Sequence, residues 1–67
     1  MNSISGINVV VFHGNHEINY FVFYRDGSAQ RFTEKNLPRG LADAMNRKKP
    51  RHVSKTASAT IFYYIFI

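Results

Sequence analysis

The sequence predicts an α+β domain of order β-β-β-α-β, with one helix packed on a mainly antiparallel sheet of about four strands. Three observations predict it. Two runs rich in β-branched and aromatic residues, at 7–13 and 18–24, are separated by a cluster of turn residues. The apolar spacing then changes to three and four between Leu37 and Lys48. Finally, Thr60–Ile67 (TIFYYIFI) is apolar or aromatic at seven of its eight positions, too short for a membrane-spanning helix, which needs about 20 residues, and rich in strand formers.

Ile7–His13 (INVVVFH) reads as the first strand, and His13-Gly14-Asn15-His16-Glu17 as the break that follows. Ile18–Tyr24 (INYFVFY) is the second strand, with Ile18, Tyr20, Val22 and Tyr24 on one face and Asn19, Phe21 and Phe23 on the other. Asp26-Gly27 signals a hairpin of type I′, which needs positive φ at its centre, and Ala29–Thr33 is the return strand. Pro38 suits the first turn of a helix in which Leu37, Leu41, Ala44, Met45 and Lys48 follow a three-to-four spacing, a narrow apolar stripe. Pro50 ends it, and Arg47, Lys48 and Lys49 complement the negative end of its dipole.

Beyond Pro50 the chain reads as extended up to the apolar octet. A single strand of that length exceeds the usual 3–10 residues, so a bend or bulge is expected near Ala59–Ile61. A right-handed crossover would set this last strand beside the first and parallel to it, on an edge of the sheet. An exposed apolar edge invites pairing, so the strand must be internal or meet its twin in a homodimer through Ile61, Phe62, Tyr63, Tyr64 and Ile65; the small size of the domain favours the dimer.

Residues 1–67 make one domain, without cysteine and so without disulfides or thiolate metal sites. A chain this short buries only about 60% of its unfolded surface. The first residues, MNSISGIN, lack the basic start and long apolar core of a signal peptide, so a soluble protein of the cytoplasm is expected. No cofactor and no metal is expected, because His13, His16 and Glu17 are not joined by further ligands at a recognisable spacing.

Charge is unevenly placed. The net +5 resides in residues 47–55, since Arg25, Arg31, Lys35 and Arg39 balance Glu17, Asp26, Glu34 and Asp43. Arg47, Lys48, Lys49, Arg51, His52 and Lys55 therefore form the candidate surface for phosphates or for an acidic protein face. Six Phe and four Tyr are more rings than the face beneath one helix can cover, at about 150–250 Å² each. A partner-binding aromatic face is accordingly expected at Tyr20, Phe21, Phe23 and Tyr24.

Gly14-Asn15-His16, followed by a strand, Asp26-Gly27, a return strand and a helix, resembles the HicA-type mRNA interferase toxins over residues 14–48. That resemblance implies a catalytic role for His16. The chain departs from the pattern in starting with a strand where those toxins have a helix, and in following its helix with a strand.

The sequence holds no glycine-rich phosphate loop, nucleophile elbow or carboxylate pair. The expectation is a non-catalytic protein that binds a protein or nucleoprotein target. Phages and mobile elements use proteins of this type as stoichiometric inhibitors or modulators of host nucleic-acid-processing or defence machines, and the site of action would then be the host cytoplasm. The alternatives are a sequence-tolerant RNA- or DNA-binding module that uses residues 47–55, and a small RNase toxin that uses His16.

Overall fold

The computed structural model describes residues 3–66. The chain forms β1 (Ile4–Phe12), β2 (Ile18–Tyr24), β3 (Ala29–Thr33), α1 (Arg39–Asn46), β4 (His52–Lys55) and β5 (Ala59–Ile65). The five strands make one antiparallel sheet in the order β3-β2-β1-β5-β4. The α+β class and the β-β-β-α start agree with the sequence, and β2 and β3 have the bounds it predicts. No helix among the described residues is long and apolar enough to cross a membrane.

The C-terminal third corrects the expectation in two ways. The segment after Pro50 is a hairpin of two strands rather than one bent strand. Its last strand runs antiparallel to β1, because β4 supplies an extra reversal. Of the two positions the sequence allowed for it, β5 takes the interior one, paired with β1 on one side and β4 on the other, which leaves β3 and β4 as the edges. The division follows the composition: the polar, small-residue stretch takes the edge and the run that is apolar on both faces takes the interior. Ile67, the end of the apolar octet, lies outside the described residues. Thr56 makes the turn, its N–H donating to the Ala59 carbonyl (2.8 Å) while its hydroxyl oxygen accepts from the Ala59 N–H (3.0 Å).

The hairpin between β2 and β3 also differs from the predicted type. Gly27 N–H donates to the Tyr24 carbonyl and Tyr24 N–H to the Ser28 carbonyl; Gly27 has φ +91° and Asp26 does not take positive φ. This is a turn closed by a left-handed glycine, the arrangement of three-residue hairpin loops.

A bulge in β1 sets up the core. Ile4 pairs with Tyr24 and Gly6 with Phe23, so Ser5 is the extra residue and Ile4 turns to the side of Ile7 and Val9. At Gly6 a Cβ would stand 3.0 Å from the backbone oxygen of Tyr64, so a side chain there would push β5 away. Ile7 and Val22, directly paired and both fully buried, form the centre of the core. Val9 and Met45 complete it, with Leu37, Leu41, Tyr20, Phe32, Phe62 and Tyr64 packed around them. Helix α1 begins after Pro38, so Leu37 and Pro38 precede it, and ends at Asn46, so Arg47, Lys48 and Lys49 follow the helix instead of forming its last turn. With eight residues it covers only the middle of one sheet face. A groove of about 530 Å³, lined by Ile4, Tyr24, Phe32, Leu41 and Phe66 among others, remains beside it.

Candidate macromolecular interface

The strand register assigns the residues of the uncovered face. One row crosses the whole sheet: Arg31 on β3, Phe21 on β2, Asn8 on β1, Tyr63 on β5 and His52 on β4, each paired with the next. The neighbouring row holds Ala29, Phe23, Gly6 and Ile65, and on the other side lie Thr33, Asn19, Val10, Ile61 and Ser54. Side chains two apart on a strand share a face, which puts these rows opposite Ile7, Val9 and Val22 and away from the helix. Phe23 and Ile65 are 39% and 43% exposed, large values for apolar side chains in a sheet interior or next to one.

The expected aromatic face is therefore divided. Phe21 and Phe23 stand on the open face, whereas Tyr20 and Tyr24 stand on the helix side, packed against the core. Tyr20 is pushed up from its ordinary pKa by burial first, then by the negative charge of Glu34 and by Tyr64. Tyr24 donates to Gln30 Oε1 at 3.2 Å. The expected dimer strand is divided in the same way: Ile61, Tyr63 and Ile65 face outward, and Phe62 and Tyr64 face the core. Since β5 is paired on both sides, its outward side chains, rather than its backbone edge, are what it offers to another chain. Tyr63 was legible as an aromatic from the sequence, but only the register shows that it stands in one row with Phe21 and His52.

Arg47, Lys48, Lys49, Arg51, His52 and Lys55 are all exposed and lie along the β4 side of the sheet. The segment is tied to the open-face strand at three points. Arg51 N–H donates to the Tyr63 carbonyl (2.6 Å). Lys48 Nζ donates to the Ile65 carbonyl (3.0 Å) and sits 4.7 Å from the centre of the Phe66 ring. The His52 ring tilts against Tyr63 with centroids 5.5 Å apart. Lys48 thus has a structural task that its neighbours do not share. No strand contains an acid: Glu17 and Asp26 are in turns, Glu34 follows β3 and Asp43 is in the helix. At the far edge Arg31 Nη1 donates to Asn19 Oδ1 (2.9 Å), and Asn19 Nδ2 donates to Glu17 Oε1 (3.4 Å).

The two turn histidines have different surroundings. His13 Nδ1 is 3.3 Å from the Ala57 carbonyl and Nε2 is 2.7 Å from Thr60 Oγ1. A carbonyl only accepts, so the neutral ring carries its proton on Nδ1 and accepts the Thr60 hydroxyl at Nε2. His13 therefore joins the β1–β2 turn to the β4–β5 turn. His16 is exposed at the tip of its turn with φ +58°, in the left-handed region. Asn15 holds that turn, its Oδ1 accepting the Glu17 N–H (2.9 Å) and its Nδ2 donating to Glu17 Oε2 (3.2 Å). Among the described residues no group of three or more His, Asp or Glu is placed to hold a metal ion.

No protein-family model, curated protein or solved structure matches the chain.

Proposed function

We propose that the protein is a small non-catalytic binding module that holds one macromolecular target against the open face of its sheet and the basic edge beside it. The observation that carries this reading is the continuity of the two surfaces: Phe21 and Tyr63 lie in the same row as His52, and Arg51 and Lys48 are hydrogen-bonded to the backbone of the strand that bears Tyr63 and Ile65. Aromatic anchors next to cations, with no acid in any strand, suit a target that offers both flat or apolar groups and negative charge. A stoichiometric inhibitor of a nucleic-acid-processing machine would meet that combination on a nucleoprotein target, whose nucleic acid offers both phosphates and bases.

The test is retention of a target from host lysate by tagged protein, compared among three forms. These are the wild type, a Phe21→Ser/Phe23→Ser variant, and an Arg47→Gln/Lys49→Gln/Arg51→Gln/Lys55→Gln variant that spares Lys48. The same target should be retained by the wild type and lost by both folded variants. Retention by both variants, or by none of the three forms, would overturn the reading.

A further inference from the structure

The open face has features that favour one class of target, and we infer that it binds single-stranded nucleic acid, with bases stacked on Phe21 and Tyr63 and the phosphate backbone held by the basic edge. This inference rests on the binding-module reading and names its occupant. The Arg31–Phe21–Asn8–Tyr63–His52 row has Arg31 at one end and His52, next to the basic segment, at the other, with Phe21 and Tyr63 within. Five strands at roughly 4.8 Å spacing make that row about 19 Å wide, enough for several nucleotides. Between the rings lies Asn8, whose amide both donates and accepts, as reading a base edge requires. Gly6, in the next row, adds no side chain between Phe23 and Ile65, so the middle strand is low and its neighbours are high. A base can lie over such a floor and stack on a ring at its side.

Charge selects this occupant over an acidic protein. The net +5 of the chain is concentrated in 47–55, beside Tyr63, and Arg31 adds a cation at the opposite edge. Cations on both flanks of a row of rings match a strand whose phosphates run past its stacked bases. A duplex is a poor fit, because its base faces are hidden and its grooves are read by a protruding helix or ribbon. Here the only helix among the described residues is packed on the other face through Leu41 and Met45.

Fluorescence anisotropy with labelled 12-nucleotide oligo(U) and oligo(dT), and with a mixed-sequence duplex of the same length, tests this directly. Single strands should bind more tightly than the duplex, and the ratio of oligo(U) to oligo(dT) tells RNA from DNA preference. Four phosphate contacts from Arg47, Lys49, Arg51 and Lys55 would give a log–log salt slope of about −3, a loss of roughly 50-fold between 50 and 200 mM salt. Tyr63→Ala should weaken binding roughly tenfold or more with the slope unchanged. Phe21→Ala should do the same, as a second variant in case one fails to fold by circular dichroism. Lys49→Ala/Arg51→Ala should reduce the slope instead. Equal affinity for duplex and single strand, or ring variants that bind like the wild type, would overturn the stacking assignment. If no oligonucleotide binds at 50 mM salt while a nuclease-resistant lysate partner is lost by the Phe21→Ser/Phe23→Ser variant, the occupant is a protein and only this inference falls. If that partner is absent too, both readings fall.

Discussion

Strand β2 presents two apolar faces of similar composition to very different surroundings. Val22 is fully buried under the helix, with Ile18, Tyr20 and Tyr24 packed around the same core, while Phe23, the next residue, is 39% exposed on the other side. Complete burial of such a side chain is worth about 1.5–3 kcal/mol, and the open face forgoes part of that. One face is therefore what the isolated chain needs in order to fold; the other carries apolar surface that the fold leaves available. The comparison teaches that apolarity alone does not identify a core. The helix, through Leu41 and Met45, and Leu37 just before it cover the face of Ile7, Val9 and Val22, and among the described residues nothing equivalent lies over Phe21, Phe23 and Tyr63.

The largest expected effect breaks this comparison if it fails. Ile7→Ala should cost about 2–5 kcal/mol. A domain of this size has a total stability of roughly 3–10 kcal/mol, so much of the variant should be unfolded at room temperature. Phe23→Ala should cost less than about 1 kcal/mol, because the ring leaves a surface rather than a cavity. Urea denaturation followed by circular dichroism measures both. Similar losses in the two variants would mean that the open face is covered in solution, as in a dimer packed face to face, and sedimentation would then show two chains.

A smaller effect sharpens the contrast within the open face itself. Asn19 is its buried exception, 4% exposed and held between Arg31 and Glu17. Removing its amide deprives the exposed Arg31 and Glu17 of their shared partner and takes two charge-assisted hydrogen bonds from a buried position. Asn19→Ala should cost about 1–2 kcal/mol, more than Phe23→Ala despite the smaller volume removed. Thermal melting should show a drop of roughly 4–8 °C per kcal/mol for a domain of this length. A melting point at or above that of Phe23→Ala would mean that the amide network contributes little.

These residues also show how much of the molecule the sequence discloses. The bounds of β2 and β3 follow from alternation and from Gly27, because strand period and positive φ are local properties. Pro38 and the Leu37–Leu41–Met45 spacing identify the helix for the same reason. The β4–β5 turn was hidden because it contains no Gly, Pro, Asn or Asp: Thr56 makes it with its hydroxyl. Missing that one reversal was enough to give the last strand the wrong direction and to leave open whether it was internal. The basic segment was plain as a charge run, but the bond from Lys48 to the Ile65 carbonyl spans 17 residues and left no local mark. The aromatic face was half legible. Alternation separates Phe21 and Phe23 from Tyr20 and Tyr24, but the addition of Tyr63 and His52 depends on a register set by long-range pairing.

The smallest effect concerns a group that belongs to neither face. Asp26 Oδ1 accepts the Ser28 hydroxyl (2.6 Å) and the Ser28 N–H (2.9 Å), and these bonds, the hydroxyl first, hold its carboxyl below the usual pKa. A carboxylate depressed in the folded state adds stability that is present above its unfolded pKa of about 3.9 and lost as pH falls through the lower folded value. Asp26→Asn retains an acceptor oxygen but not the charge. Its melting temperature should lie slightly below that of the wild type at neutral pH, and the gap should close as the solution is acidified below about pH 4. Full exposure keeps the effect small, since solvent and salt screen the charge. Melting curves of both proteins from neutral pH into the acid range measure it. A gap that persists at the acid end would assign the hairpin's stability to the geometry of the Asp26–Ser28 bonds and the left-handed Gly27 rather than to ionisation. Binding of a single strand to Phe21 and Tyr63 should be indifferent to this substitution, because Asp26 lies in the turn beyond the row those residues form.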